Sequence, residues 1–151
     1  MKKIGKVATL IFFSFASLSI GHAENLEENN VPDNVIEINK DTFLKKVFNY
    51  EKNGSNWVYE GSTPCIVNFY ANWCGPCKRF YPTLTEIARE YGDKIIIYRI
   101  NTETERELAA VFGVRGIPLT VFIPLKGAPQ AASGALPKES LKEIVDSFLL
   151  K

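Results

Sequence analysis

Histidine is nearly absent, with His22 the only one in 151 residues. A surplus of either charge is absent too, with 18 Lys and Arg against 17 Asp and Glu. There is no internal repeat, no low-complexity tract, and only three cysteines. Each lack excludes something. Balanced charge gives no footprint for nucleic acid, and no basic amphipathic stretch suggests a membrane surface. Hydrolytic schemes that need a histidine base lose their base. A structural zinc site wants four Cys or His ligands. Three cysteines are an odd number and a poor disulfide framework. What remains is an almost half-apolar chain of ordinary globular composition, long enough for one domain with its own core.

The first residues have the layout of a secretory signal. Lys2, Lys3 and Lys6 form a basic start, Val7–Ile20 is apolar apart from Thr9, Ser14, Ser17 and Ser19, and Gly21-His22-Ala23 ends in small residues. The apolar run is shorter than the roughly 18–20 residues of a spanning helix. No Cys follows it for lipid attachment. Residues 1–23 are therefore expected to be removed, leaving a mature chain with no stable membrane insertion. Cleavage would remove three basic residues and the sole histidine, turning the balance to 15 basic against 17 acidic. Export, with a periplasmic location, is the expected consequence. Residues 24–33 are expected to be a flexible N-terminal segment, and 34–151 the folded domain.

Within that domain Val35–Ile38 reads as a short strand. Asp41-Thr42 is expected to cap a helix to about Tyr50, followed by a loop over Glu51–Pro64. Cys65–Ala71 is almost continuously apolar, as a central strand buried on both faces should be. A helix follows Trp73 to about Tyr91, with Pro82 inside it. Lys94–Ile100 is a third strand and Glu105–Phe112 a short helix closed by Gly113. Leu119–Ile123 and Gln130–Ser133 form a hairpin of antiparallel edge strands, and Lys138–Leu150 a final amphipathic helix. Alternating strands and helices predict an α/β domain with a parallel core and helices on both faces.

Cys74-Gly75-Pro76-Cys77 stands between the central strand and its helix. Disulfide exchange needs a thiolate, and an ordinary thiol is mostly protonated near neutral pH. Lowering a thiol pKa from about 8.5 to about 7 takes roughly 2 kcal/mol. A helix N-terminus supplies about 0.3–1 kcal/mol of that, and hydrogen bonds to the sulfur can supply the rest. Two intervening residues keep both sulfurs on one helical turn, and Pro76 is tolerated there for want of an N–H partner. Cys74 is expected as the exposed nucleophile and Cys77 as the buried resolving thiol. A zinc half-site and a static structural bridge are the competing readings, and so local a loop restrains the unfolded chain little.

Several segments together resemble the thioredoxin family, from about Val35 to the C-terminus. Phe69-Tyr70-Ala71-Asn72-Trp73-Cys74-Gly75-Pro76-Cys77-Lys78 resembles its active-site segment. Val114-Arg115-Gly116-Ile117-Pro118 resembles the loop whose proline is cis, and Gly134-Ala135-Leu136 the turn beside the substrate groove. The resemblance implies a thioredoxin fold, a mixed β-sheet flanked by helices on both faces. It implies a thiol–disulfide oxidoreductase acting on protein disulfides or thiols through a redox-active Cys74–Cys77 disulfide. No cofactor or metal is implied. An upstream electron donor, not identifiable from sequence, must re-reduce the pair. Trp73, Gly75, Pro76, Ile117, Pro118, Gly134 and Ala135 are expected to form the substrate surface of a monomer.

Three departures from the family pattern stand out. Asn68 occupies the position of a buried Asp that helps the resolving thiol lose its proton, and Arg99 that of its accompanying Lys. The Glu51–Pro64 loop is longer than in compact relatives. Cys65 lies six residues before Ala71 at the other end of the strand, too far from Cys74 to pair, and reads as a small buried hydrophobe. Gly-Pro between the cysteines favours a reductase. An oxidase or isomerase using the same pair, or a client-binding module without redox turnover, remains open.

Overall fold

The computed structural model describes Pro32 and residues 34–151. The expected leader over 1–23 lies outside the described residues, as does almost all of 24–33.

The chain runs β1 Val35–Glu37, α1 Lys40–Lys46, α2 Tyr50–Asn53, β2 Cys65–Tyr70, α3 Gly75–Tyr91, β3 Ile96–Asn101, α4 Arg106–Val111, β4 Leu119–Ile123, β5 Gln130–Ser133 and α5 Lys138–Ile144. A π-helical turn over Val145–Leu149 extends α5. The five strands form one mixed sheet in the order β1-β3-β2-β4-β5. β1, β3 and β2 are parallel, while β4 runs antiparallel to β2 and β5 to β4. Only one strand of the C-terminal hairpin is therefore an edge. β4 is interior, because it pairs with β2 along five registered positions.

Every residue of β2 is buried. The two-residue period of a strand divides them between two cores. Cys65, Val67 and Phe69 join Phe43 and Val47 of α1 and Leu108 of α4. Ile66 faces the other way, among Phe80, Leu84 and Ile87 of α3 and Leu141 and Val145 of the C-terminal helix. The near-continuous apolarity of Cys65–Tyr70 is thus the pattern of a strand covered on both sides.

Two local expectations change. Asn39, two residues before Asp41, caps α1: its Oδ1 accepts the Thr42 N–H at 3.0 Å. The helix stops at Lys46, and the expected loop begins inside a second short helix capped by Asn49. The rest of that loop packs down. Trp57 stacks on Phe48 with centroids 4.6 Å apart, and Tyr59 bridges to Phe48. Gly61 has no room for a Cβ, which would meet the Tyr59 ring.

The long helix α3 is held at its far end by Asn34. The Asn34 amide donates to the carbonyls of Ala88, Gly92 and Ile95 at 3.0, 2.9 and 3.2 Å. The three carbonyls lie in the last turn of α3 and in the turn that leads from it to β3, so one side chain ties the helix end to the start of that strand. On its outer face Lys138 and Lys142 pair with Glu86 and Glu90. Exposed pairs of this kind contribute little, because water and salt screen them. Burial of Leu141 against α3 should dominate. Leu141→Ala is expected to lower unfolding free energy by about 2–4 kcal/mol, measured by urea denaturation, while Lys138→Ala moves the midpoint far less.

Candidate active site

β2 carries the chain out of the core at Tyr70, and a turn follows in which the Cys74 N–H donates to the Ala71 carbonyl at 3.1 Å. That turn sets Cys74 at the N-cap of α3, in extended backbone, with Pro76 in the first turn. The Cys74 sulfur accepts the Cys77 N–H at 3.2 Å. It occupies the place an Asp or Ser oxygen takes in an ordinary cap, so negative charge on this sulfur meets an unpaired donor and the positive end of a 17-residue helix. The two cysteines form a disulfide, with Cα atoms 5.3 Å apart. The structure is therefore that of the oxidised state.

The expected contrast between an exposed Cys74 and a buried Cys77 is corrected. In the disulfide they are 3% and 4% exposed. Their difference lies in what they face. Cys74 lines an open groove of about 830 Å³ with Trp73, Gly75, Pro76 and Ile117. Cys77 lines a separate cavity of about 450 Å³ behind the pair, with Glu37, Tyr70, Tyr81 and Arg99.

The Ile117–Pro118 peptide is cis. Its loop brings the Ile117 carbonyl to 3.8 Å from the Cys74 sulfur. Pro118 itself is buried, and its carbonyl accepts the Gly134 N–H at 2.8 Å. Gly134 has φ of 88°, a conformation a side chain would strain. The Gly134 N–H thus braces the proline loop, and neither Gly134 nor Ala135 is among the residues that line the groove beside Cys74. Trp73 is 70% exposed, the most exposed large apolar side chain among the described residues. Sequence reasoning missed the far wall of the groove, made of Thr102, Arg106, Ala109 and Ala110 with Val114 and Arg115.

Asn68 is buried, and its amide donates to Thr120 Oγ1 at 3.2 Å. Arg99 is its register partner on β3. The guanidinium lies over the rings of Tyr70 and Tyr81, 3.8 and 4.2 Å from their centroids. Burial pushes the Tyr70 hydroxyl up to about 12, with a hydrogen bond to Glu37 adding to the effect. Among the described residues no group of three or more His, Cys, Asp or Glu could hold a metal, and no helix is long and apolar enough to cross a membrane.

A sequence model of the family described as Thioredoxin matches residues 34–147. A thioredoxin of Borreliella burgdorferi is 35% identical over 113 residues, covering 75% of this chain and 96% of that protein. The chain belongs to the thioredoxin family. Thioredoxin X of Arabidopsis thaliana, a chloroplastic protein, is 40% identical over 101 residues, which cover 66% of this chain and 56% of that one. The chain spans little more than half the length of such plant relatives. The crystal structure of chloroplastic thioredoxin z superposes with a TM-score of 0.63 at 24% identity, over 75% of this chain and 92% of that one, and supports the fold. Thioredoxins are protein-disulfide oxidoreductases that work through a redox-active cysteine pair and need no cofactor. This chain is accordingly a thiol–disulfide oxidoreductase acting on protein disulfides. The comparisons overturn the periplasmic location expected from the first residues: the plant relatives are named as chloroplastic, and the bacterial one is named thioredoxin alone.

Cys65 is the one free cysteine among the described residues, fully buried and nine residues before Cys74. Burial pushes its thiol up to about 12, so it stays protonated and unreactive near neutral pH. Iodoacetamide should modify the reduced native protein at Cys74 first and leave Cys65 untouched until denaturant is added, as peptide mass mapping would show. Early labelling of Cys65 would contradict this placement.

Proposed function

We propose that the protein is a protein-disulfide reductase in which Cys74 attacks and Cys77 resolves. The observation that carries this reading is the Cys74 sulfur capping α3 while lining the open groove. The reduced pair is the reductant. The Cys74 thiolate attacks one sulfur of a substrate disulfide; that S–S bond breaks, a mixed disulfide forms, and the other substrate sulfur leaves as thiolate. Cys77 then loses its proton and attacks the Cys74 sulfur. The Cys74–Cys77 bond forms, two electrons have passed to the substrate, and the second substrate thiolate leaves. A dithiol donor restores the pair by the same exchange in reverse.

Trp73, Gly75, Pro76 and Ile117 give the substrate a largely apolar seat, and the Ile117 backbone holds an extended segment across the Cys74 sulfur. Pro118, fixed in cis, sets the position of that backbone, and the Gly134 N–H supports it. All these groups come from one chain, so the reading needs no second copy. The direction follows from the Gly-Pro spacer, which resembles thioredoxins near −270 mV more than strong oxidants near −120 mV.

Asn68 cannot take a proton. In this reading the Cys77 proton leaves through the polar cavity shared with Glu37, Tyr70 and Arg99, and Asn68 keeps the strand pairing intact. Asn68→Asp should speed resolution of the mixed disulfide severalfold, read by stopped-flow release of a fluorescent substrate thiol. A rate equal to or below wild type would show that another group already takes the proton.

The decisive experiment is insulin reduction with dithiothreitol. Cys74→Ser should lose at least about a hundredfold in rate, and Cys77→Ala should accumulate a covalent enzyme–substrate adduct on non-reducing gels. Full activity in Cys74→Ser would end the redox reading. A reduction potential above about −200 mV would replace the reductase by an oxidase.

A further inference from the structure

The segment Glu103-Thr104-Glu105-Arg106-Glu107 reads as acidic, yet the fold turns all three carboxylates away from the groove. Glu103 accepts the Asn72 N–H at 3.2 Å. Glu105 accepts the Lys40 N–H at 2.9 Å. Glu107 pairs with Lys40 Nζ at 2.8 Å and accepts the Tyr50 hydroxyl at 3.2 Å. Arg106 alone is left on the groove wall, opposite the cysteine loop. Its Nε donates to the Glu103 carbonyl at 3.3 Å, which orients the guanidinium and leaves its other donors available.

Arg115 is the second cation of the same groove, three residues before the cis proline. Both arginines are exposed, and neither forms an ion pair among the described residues, whose pairs all use Lys40, Lys138 or Lys142. No acidic residue lines the groove. Arg106 opens α4 between the N-cap Glu105 and the first-turn Glu107, whose carboxylates are taken by Lys40.

We propose that Arg106 and Arg115 make this groove selective for substrate segments carrying Asp or Glu beside the attacked cysteine. The apolar floor of Trp73 and Ile117 accepts the disulfide and its extended backbone, and the two guanidinium forks receive carboxylates on the flanks. Arg suits this role, since its planar fork takes a carboxylate through two parallel hydrogen bonds. The inference rests on the reductase reading and adds its substrate class.

Two cystine-bridged peptides that differ only in Glu or Lys at the positions flanking the cysteines provide the test. Their kcat/KM values are divided by their rates with dithiothreitol alone, which removes intrinsic differences in disulfide reactivity. The Glu peptide should be preferred about three- to tenfold at low ionic strength, the scale of two exposed ion pairs with some steering. The preference should collapse in 0.5 M salt (about a 4 Å screening length), vanish in R106Q/R115Q and reverse in R106E/R115E. Equal normalised values for the two peptides in the wild-type protein overturn the selectivity while leaving the reductase intact. Failure of both peptides to turn over overturns the reductase and the selectivity together.

Discussion

One hydrogen bond organises the site: the Cys77 N–H donated to the Cys74 sulfur at 3.2 Å. It exists only because α3 starts at Gly75, and α3 starts there because β2 ends at Tyr70 and a tight turn intervenes. The strand is anchored in turn by burial of all six of its residues between two cores. Fixing the nucleophile is thus a property of the whole sandwich. A shift of β2 by one residue would exchange its two faces and carry Cys74 off the helix axis. The small electrostatic gain available at a helix end has value only if the sulfur stays within hydrogen-bonding reach, and the central strand keeps it there.

Much of this was legible in the chain itself. The unbroken apolarity of β2, the Cys-Gly-Pro-Cys spacing and the proline following Ile117 are local signals, and each element appeared close to where it was read. The failures differ in cause. Asn39 rather than Asp41 caps α1, a choice between two neighbouring polar residues that the local pattern leaves open, and β4 lies inside the sheet because it pairs with β2, fifty or more residues earlier. The groove wall was invisible for the same reason. An acidic-looking stretch gives no hint that Lys40, Tyr50 and Asn72 will claim its carboxylates and leave Arg106 alone facing the cysteines. Equal burial of Cys74 and Cys77 was equally unreadable, since helix position says which residue comes first and not what covers it.

Asn68 shows how a fold can keep a geometry after changing a group's chemistry. Its amide holds Thr120 across the β2–β4 pair, a structural duty that needs no charge. Next to it the Arg99 guanidinium rests between two aromatic faces, where a delocalised cation is better accommodated than an ammonium would be. Of the usual acid and lysine pair, Asn68 gives up the negative member, while Arg99 keeps the positive one, with the Tyr70 and Tyr81 rings as its neighbours.

Asn34 gives the domain an order in time. Its amide closes the end of α3 through residues 54 to 61 positions downstream, and β1 pairs with β3 alone. On a growing chain the first strand therefore has nothing to bind until β3 has been made. Its partners at the sheet edge and at the far end of the cysteine-bearing helix are all made after it. The first of the described strands to be made is thus the one whose partner comes latest among the parallel strands.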